Sequence, residues 1–94
     1  MSVVEAEVTY NEFAKPLSEG LEVVGFAHDN TINATEIWSI DKQHGVIEVR
    51  IDYISGEVIV EVATSRNPRA HVTKREVINL NKMSDCRRVL NAAV

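Results

Sequence analysis

The stretch from Val46 to Thr64 constrains the fold more than any other part of the chain. On each side of a central Ser55-Gly56 pair, apolar residues alternate with mostly polar ones, and β-branched residues fill both arms. Alternation of period two is typical of a half-buried strand, and β-branched side chains suit a pleated surface. Glycine tolerates the positive φ that tight hairpin turns require. The sequence therefore predicts a β-hairpin that turns at Ser55-Gly56.

A two-residue turn would fix the register of this hairpin. It would place Tyr53 opposite Val58, with two more apolar pairs following, Ile51 with Val60 and Val49 with Val62. On the other face it would set Arg50 opposite Glu61, an opposite-charge pair. A slip of one residue would set apolar side chains against charged ones, so we predict this register.

The N-terminal residues carry signals for a strand and a short helix. Apolar residues alternate with polar ones from Val4 to Tyr10, which predicts a strand. Thr9, with Glu12 three residues later, is typical of a helix capping box. The helix is predicted to be short and to end at residues 18–20, where Ser-Glu-Gly breaks the pattern.

Two further strands are predicted before the hairpin, at Leu21 to His28 and at Ile32 to Ile40. The polar cluster Asp29-Asn30-Thr31 predicts the turn between them. Consecutive strands joined by short loops usually pair with each other. These strands and the hairpin therefore predict a four-stranded antiparallel meander.

The C-terminal third is harder to assign. His71 to Asn81 fits a strand or a capped helix, and Asn79 and Asn81, poor in helix interiors, favour a strand. Ser84 is predicted to cap a final helix, whose apolar face is given by spacings of 0, 3, 4 and 7: Cys86, Val89, Leu90 and Ala93. The predicted fold is α+β, with the four-stranded meander plus one or two more strands, a short N-terminal helix and a C-terminal helix.

Length and composition indicate one domain over residues 1–94, with one hydrophobic core. No apolar run approaches the roughly 18 residues of a membrane span. Met1 to Val8 lacks the basic start of a signal peptide and contains two glutamates. Cys86 is the single cysteine, which excludes an intramolecular disulfide. A cytoplasmic location is expected.

The net charge of −4 hides an asymmetry along the chain. Residues 1–64 hold 12 acidic and 3 basic side chains, whereas residues 65–94 hold 2 acidic and 7 basic ones. Such a split can mark a surface for nucleic acid or for a protein partner. Alternatively, the two parts lie side by side and neutralise each other.

The sequence contains no pattern that predicts catalysis, a metal or a cofactor. The chain has no nucleophile elbow, no phosphate-binding glycine loop and no paired metal ligands. In the predicted meander, His28 and His44 lie at opposite ends of the sheet, about 20 Å or more apart. His28-Asp29 could serve acid–base chemistry, but a polar turn is the simpler interpretation. Cys86 is predicted to be a small buried hydrophobe, or, if exposed near the helix N-terminus, a reactive thiol.

These observations predict a small non-catalytic protein-binding domain, such as an inhibitor or adaptor of the phage host-takeover or immunity type. It would bind its partner, or itself as a homodimer, through an acidic sheet face or through Glu57 to Thr64 as an edge strand. The predicted binding residues are Glu48, Asp52, Ile54, Glu57, Ile59 and Glu61. The alternative is a nucleic-acid-binding regulator that uses the basic residues Arg66, Arg69, Lys74, Arg75, Arg87 and Arg88. That basic stretch lacks aromatic residues on which bases could stack.

Overall fold

The structure is a computed structural model that describes residues 15–43, 45–52, 54–65, 71–81 and 83–93. The elements in chain order are α1 (Lys15–Val24), β1 (Ala27–Ile32), β2 (Thr35–Lys42), β3 (Gly45–Asp52), β4 (Glu57–Ala63), β5 (Val72–Asn79) and α2 (Met83–Ala92). The five strands form one antiparallel sheet in the order β1-β2-β3-β4-β5. This confirms the predicted α+β fold. The strand predicted from Val4 to Tyr10 and the capping box at Thr9 lie outside the described residues.

The core lies between one face of the sheet and the two helices. The alternation of β3 and β4 places four side chains on this face with at most 1% of their surface exposed: Val49, Ile51, Val58 and Val60. Helix α1 contributes Leu17 and Leu21, and α2 contributes Val89, all fully buried. Each Å² of apolar surface removed from water stabilises the fold by about 25 cal/mol. The period-two pattern of the hairpin is therefore what selects the face on which the helices pack.

The hairpin is present, but its predicted register is wrong by two residues. Val58 pairs with Ile51 and not with Tyr53, which itself lies outside the described residues. Asp52 pairs with Glu57, so four residues, 53–56, connect the strands. The longer loop forms because the Asp52 carboxylate accepts hydrogen bonds from the backbone N–H groups of Ile54 (3.0 Å) and Ser55 (3.1 Å). A shift of two residues keeps every side chain on its predicted face.

The strand predicted from Leu21 to His28 is wrong, because α1 continues through Gly20 to Val24. The helix ends in a Schellman motif: Phe26 N–H donates to the Leu21 carbonyl at 2.9 Å, and Gly25 N–H donates to the Glu22 carbonyl at 3.1 Å. Gly25 adopts a φ of 109°, which suits glycine. Leu21 and Phe26 are both buried, as is common in this motif. The helix thus ends at Val24, Gly25 follows it, and β1 begins at Ala27.

The turn predicted at Asp29-Asn30-Thr31 is also wrong, because these residues belong to β1. The pairing of β1 with β2 shifts between His28 and Asn30, which is a β-bulge. The chain turns after Ile32 instead, where Asn33 has a φ of 55°. Asparagine tolerates this left-handed conformation better than most residues do.

The segment from His71 to Asn81 contains a strand, β5 (Val72–Asn79), as favoured by its asparagines. Strand β4 lies between β3 and β5, so the prediction of Glu57 to Thr64 as an edge strand is wrong. The prediction failed because the sequence did not decide whether residues 71–81 form a strand or a helix. They contain β5, which pairs with the side of β4 that would otherwise be an edge. Among the described strands, β1 and β5 lie at the edges.

Helix α2 has the predicted apolar face, but its predicted cap is wrong. Cys86, Val89 and Ala93 are buried and Leu90 is partly buried. Ser84 lies inside the helix, which already includes Met83. The N-terminal turn is stabilised instead by Asp85, whose carboxylate accepts a hydrogen bond from Asn81 N–H at 2.8 Å.

Candidate protein-binding face

The face of the sheet opposite the two helices, here called the open face, carries no helix among the described residues. Its residues alternate along each strand with the core residues. Four of them form one row across β2 to β5, here called the central row: Ile37, Arg50, Ile59 and Val77. Val77 is 47% exposed, and the other three are partly exposed. The central row therefore presents apolar surface around one cation.

Acidic side chains flank the central row on both sides. On one side, Glu48 and Glu61 lie directly opposite each other, an arrangement that repels. Arg50 lies between them: its Nη2 pairs with the Glu61 carboxylate, and its Nε is 3.1 Å from Glu48 Oε1. The Nε contact is not aligned as a hydrogen bond, so it is mainly Coulombic. The predicted pair of Arg50 and Glu61 thus forms, but diagonally, because Ile59 stands opposite Arg50.

The predicted binding residues do not all lie on the open face. Asp52 and Glu57 form the row on the other side of the central row. The Asp52 carboxylate accepts hydrogen bonds from two backbone amides of the loop. Ile54 lies in the loop and is 37% exposed, so its predicted place on the strand face is wrong. Glu57 is exposed and Ile59 is half-buried. The structure therefore brings together Glu48, Asp52, Glu57, Ile59 and Glu61, with Ile54 at the margin.

The basic residues of the alternative prediction do not form one patch in the part of the chain that the structure describes. Lys74 pairs with Val62 and Arg75 with Glu61, so these neighbours project to opposite faces of β5. Arg87 and Arg88 are exposed on α2, where Arg88 Nη1 is 3.5 Å from the Asp85 carboxylate. Arg66 and Arg69 lie outside the described residues. Binding of nucleic acid by these residues stays a prediction.

A buried carboxylate, which the sequence analysis missed, joins α1 to the sheet. Glu36 is 8% exposed, and its Oε1 accepts hydrogen bonds from Ser18 Oγ at 2.6 Å and Trp38 Nε1 at 3.1 Å. The alternation of β2 indicates this burial, because Glu36 shares its face with Trp38 and Ile40. A buried carboxylate is stabilised when it accepts such bonds. Glu36 therefore orients α1 on the sheet.

His28 and Asp29 project to different faces of the sheet and do not act as a pair. The His28 ring lies 5.0 Å from the Trp38 ring, and its Nε2 is 2.8 Å from Thr31 Oγ1. The Asp29 carboxylate accepts a hydrogen bond from Ser39 Oγ. His28 lies near the start of β1, opposite Trp38, so its predicted place at the end of a strand is wrong. His44 lies outside the described residues.

Cys86 is buried on the apolar face of α2. Burial raises the pKa of its thiol, and the neighbouring Asp85 carboxylate raises the pKa further. A thiol with a raised pKa stays protonated at neutral pH and reacts slowly. The structure therefore favours the buried hydrophobe over the reactive thiol.

The part of the chain that the structure describes contains no group of three or more His, Cys, Asp or Glu residues able to hold a metal ion. None of its helices is long and apolar enough to cross a bilayer. No family model, no curated protein and no solved structure matches this chain.

Replacing Ile59 with glutamate tests whether the open face tolerates charge. We expect the domain to stay folded and to lose only about 1 kcal/mol, because Ile59 is partly exposed and stands opposite Arg50 across the strands. The matched control is Val60→Glu, one residue along on the core face, where Val60 is 1% exposed. That variant should unfold, because an unpaired charge would be buried. Thermal melting followed by circular dichroism measures both, and unfolding of Ile59→Glu would show that this face is core.

Proposed function

We propose that this domain is non-catalytic and binds another protein through its open face. The observation that carries the proposal is the central row, in which Ile37, Ile59 and Val77 keep apolar surface exposed on the side of the sheet away from the core. Apolar side chains rimmed by charged ones are typical of protein interfaces. Binding of this kind corresponds to an inhibitor or an adaptor, and the single cysteine suits the cytoplasm.

The edges of the sheet are less suited to binding than its face. The pairing of β5 with β4 shifts between Val62 and Ala63, and the pairing of β1 with β2 shifts at His28. Residues 74–76 of β5 are Lys-Arg-Glu, three consecutive charges. Bulges and charged side chains on edge strands oppose pairing with another chain. This argues against association through an added strand and in favour of the open face.

The charge of the open face selects a basic partner. Strands β2 to β5 present five carboxylates on this face and two guanidinium groups, an excess of three negative charges; these residues are Asp41, Glu48, Asp52, Glu57, Glu61, Arg50 and Arg75. A second copy of the chain would bring the same excess against itself, and like charges across an interface cost free energy. The partner that fits is a protein whose basic surface surrounds an apolar centre.

Val77→Lys is the variant that tests this proposal. It adds a positive charge and a long side chain to the central row, and because Val77 is 47% exposed the stability should change by no more than about 0.5 kcal/mol. The control is Val23→Lys on α1, where Val23 is 88% exposed. The immobilised wild type and both variants are used to capture proteins from host lysate, and each captured protein is then purified and titrated by calorimetry.

We expect a basic protein that binds the wild type and Val23→Lys equally and binds Val77→Lys at least about tenfold more weakly, a loss of about 1.4 kcal/mol. Its affinity should fall as salt increases. The proposal is overturned if no purified protein discriminates between the two variants. If the captured proteins are held through nucleic acid, so that nuclease treatment releases them, the result would support the alternative based on the basic residues. Light scattering on the wild type shows whether a second copy is the partner instead.

A further inference from the structure

A pocket of about 440 Å³ opens on the helix side of the sheet, where β2 turns into β3. Its apolar wall on this side of the sheet consists of Ile47, Val62 and Ala92. Ile47 and Val62 are partners in one cross-strand row that continues from Ile40 to Lys74. The volume lies within the range of about 300–1,000 Å³ that is usual for small-molecule sites.

The pocket lies at the C-terminal end of α2, beside the row of Ile47. The helix ends at Ala92, which lies at the pocket wall. In the two neighbouring rows on this face, Val49 and Ile51 are fully buried. At the row of Ile47, Val62 of the sheet and Ala92, the last residue of the helix, stay partly exposed, whereas Ile47 is 5% exposed. An apolar surface that the described residues leave open can receive an apolar group.

Two lysines give this pocket a charge opposite to that of the whole chain. Lys42 and Lys74 both line it and both are exposed, and none of its described lining residues is acidic. Neither lysine forms an ion pair with any residue in the described part of the chain. In a protein with a net charge of −4, two unpaired ammonium groups beside one apolar pocket are suited to an anion with an apolar body.

We infer that this pocket binds a small alkyl carboxylate, with its chain against Ile47, Val62 and Ala92 and its carboxylate toward the two lysines that line it, Lys42 and Lys74. An ammonium group pairs readily with a carboxylate, and the attraction strengthens where apolar walls exclude water. A simple phosphate would leave the apolar wall unused, and a neutral alcohol would leave the lysines unused. Binding at this site does not depend on the open face, which lies on the other side of the sheet.

Decanoate, below its micelle concentration, is the probe, and decanol is its neutral counterpart. Isothermal titration is run on the wild type, on Lys42→Ala/Lys74→Ala, on Ala92→Phe and on Lys15→Ala. Lys15 is an exposed lysine of α1 that does not line the pocket, so it controls for the loss of surface charge. Thermal melting establishes that each variant is folded, and the double lysine variant should melt as the wild type does because both side chains are exposed.

We expect decanoate to bind the wild type and Lys15→Ala equally, and the double lysine variant at least about tenfold more weakly. Decanol should bind the wild type at least about tenfold more weakly than decanoate, and Ala92→Phe should abolish binding by filling the pocket. Amide chemical shifts should move at Ile47 and Val62. The inference is wrong if decanoate does not bind the wild type, if decanol binds equally well, or if the double lysine variant keeps full affinity.

Discussion

Leu21→Ala should lower the free energy of unfolding by about 2–5 kcal/mol, the range found for leucine truncations in well-packed cores. Leu21 is fully buried on α1 within the main core cluster. In a domain of this size, each kcal/mol corresponds to about 4–8 °C in the melting temperature. Chemical denaturation with urea gives the change in free energy directly.

The matched variant is Val23→Ala, two residues further along. Val23 is 88% exposed, so its truncation should change stability by less than about 0.5 kcal/mol. The pair also distinguishes the two assignments of this segment. In a strand, residues 21 and 23 would share one face, whereas in a helix they lie about 200° apart. Equal decreases in the free energy of unfolding for the two variants would support the strand that the sequence alone predicted.

Gly45→Ala should destabilise the domain by more than about 2 kcal/mol, because it strains the backbone at the start of β3. A Cβ atom at Gly45 would lie 2.1 Å from the Ala63 carbonyl oxygen, a backbone atom that is held in the sheet. Gly45 also has a φ of 152°, in a region that side chains disfavour. Urea denaturation of the variant and the wild type measures the loss.

Gly20→Ala provides the control for this glycine. A Cβ atom there would lie 3.0 Å from Leu90 Cδ1, the end of a flexible side chain that can move. Alanine is also a better helix former than glycine by about 1 kcal/mol, which offsets the crowding. The net change should stay within about 1 kcal/mol of zero. If Gly45→Ala proves no more harmful than Gly20→Ala, the close approach of Gly45 to Ala63 is not present in the protein.

Local patterns predicted the elements whose signals lie within a few residues. The alternation in β3 and β4 assigned Val49, Ile51, Val58 and Val60 to one face, and these side chains are buried. That assignment survived an error of two residues in the register, because the side-chain period is also two. The loop itself depended on the Asp52 carboxylate, whose bonds to two backbone amides no hydrophobic pattern reveals.

The segment after Gly20 shows where local patterns fail. Leu21 to His28 is compatible with a strand by composition, and glycine is a poor helix former. Helix α1 nevertheless passes through Gly20 because Leu17 and Leu21, four residues apart, both pack in the core. Burial of two leucines outweighs the roughly 1 kcal/mol that a helical glycine costs.

The features of the candidate sites also divide into those that local sequence patterns predict and those that only tertiary packing decides. The sequence alone determined which residues of β3 and β4 project to each face of the sheet. With that it determined the charged, partly apolar face that carries Ile59 and Glu61. Only the tertiary structure decided that Ile37 and Val77 extend this face into one row, that Glu36 anchors α1, and that Lys42 and Lys74 line one pocket. The reason is physical: the face of a residue follows from the backbone period of its own strand, whereas contact between distant residues depends on strand order, register and helix length, which are set by packing throughout the domain.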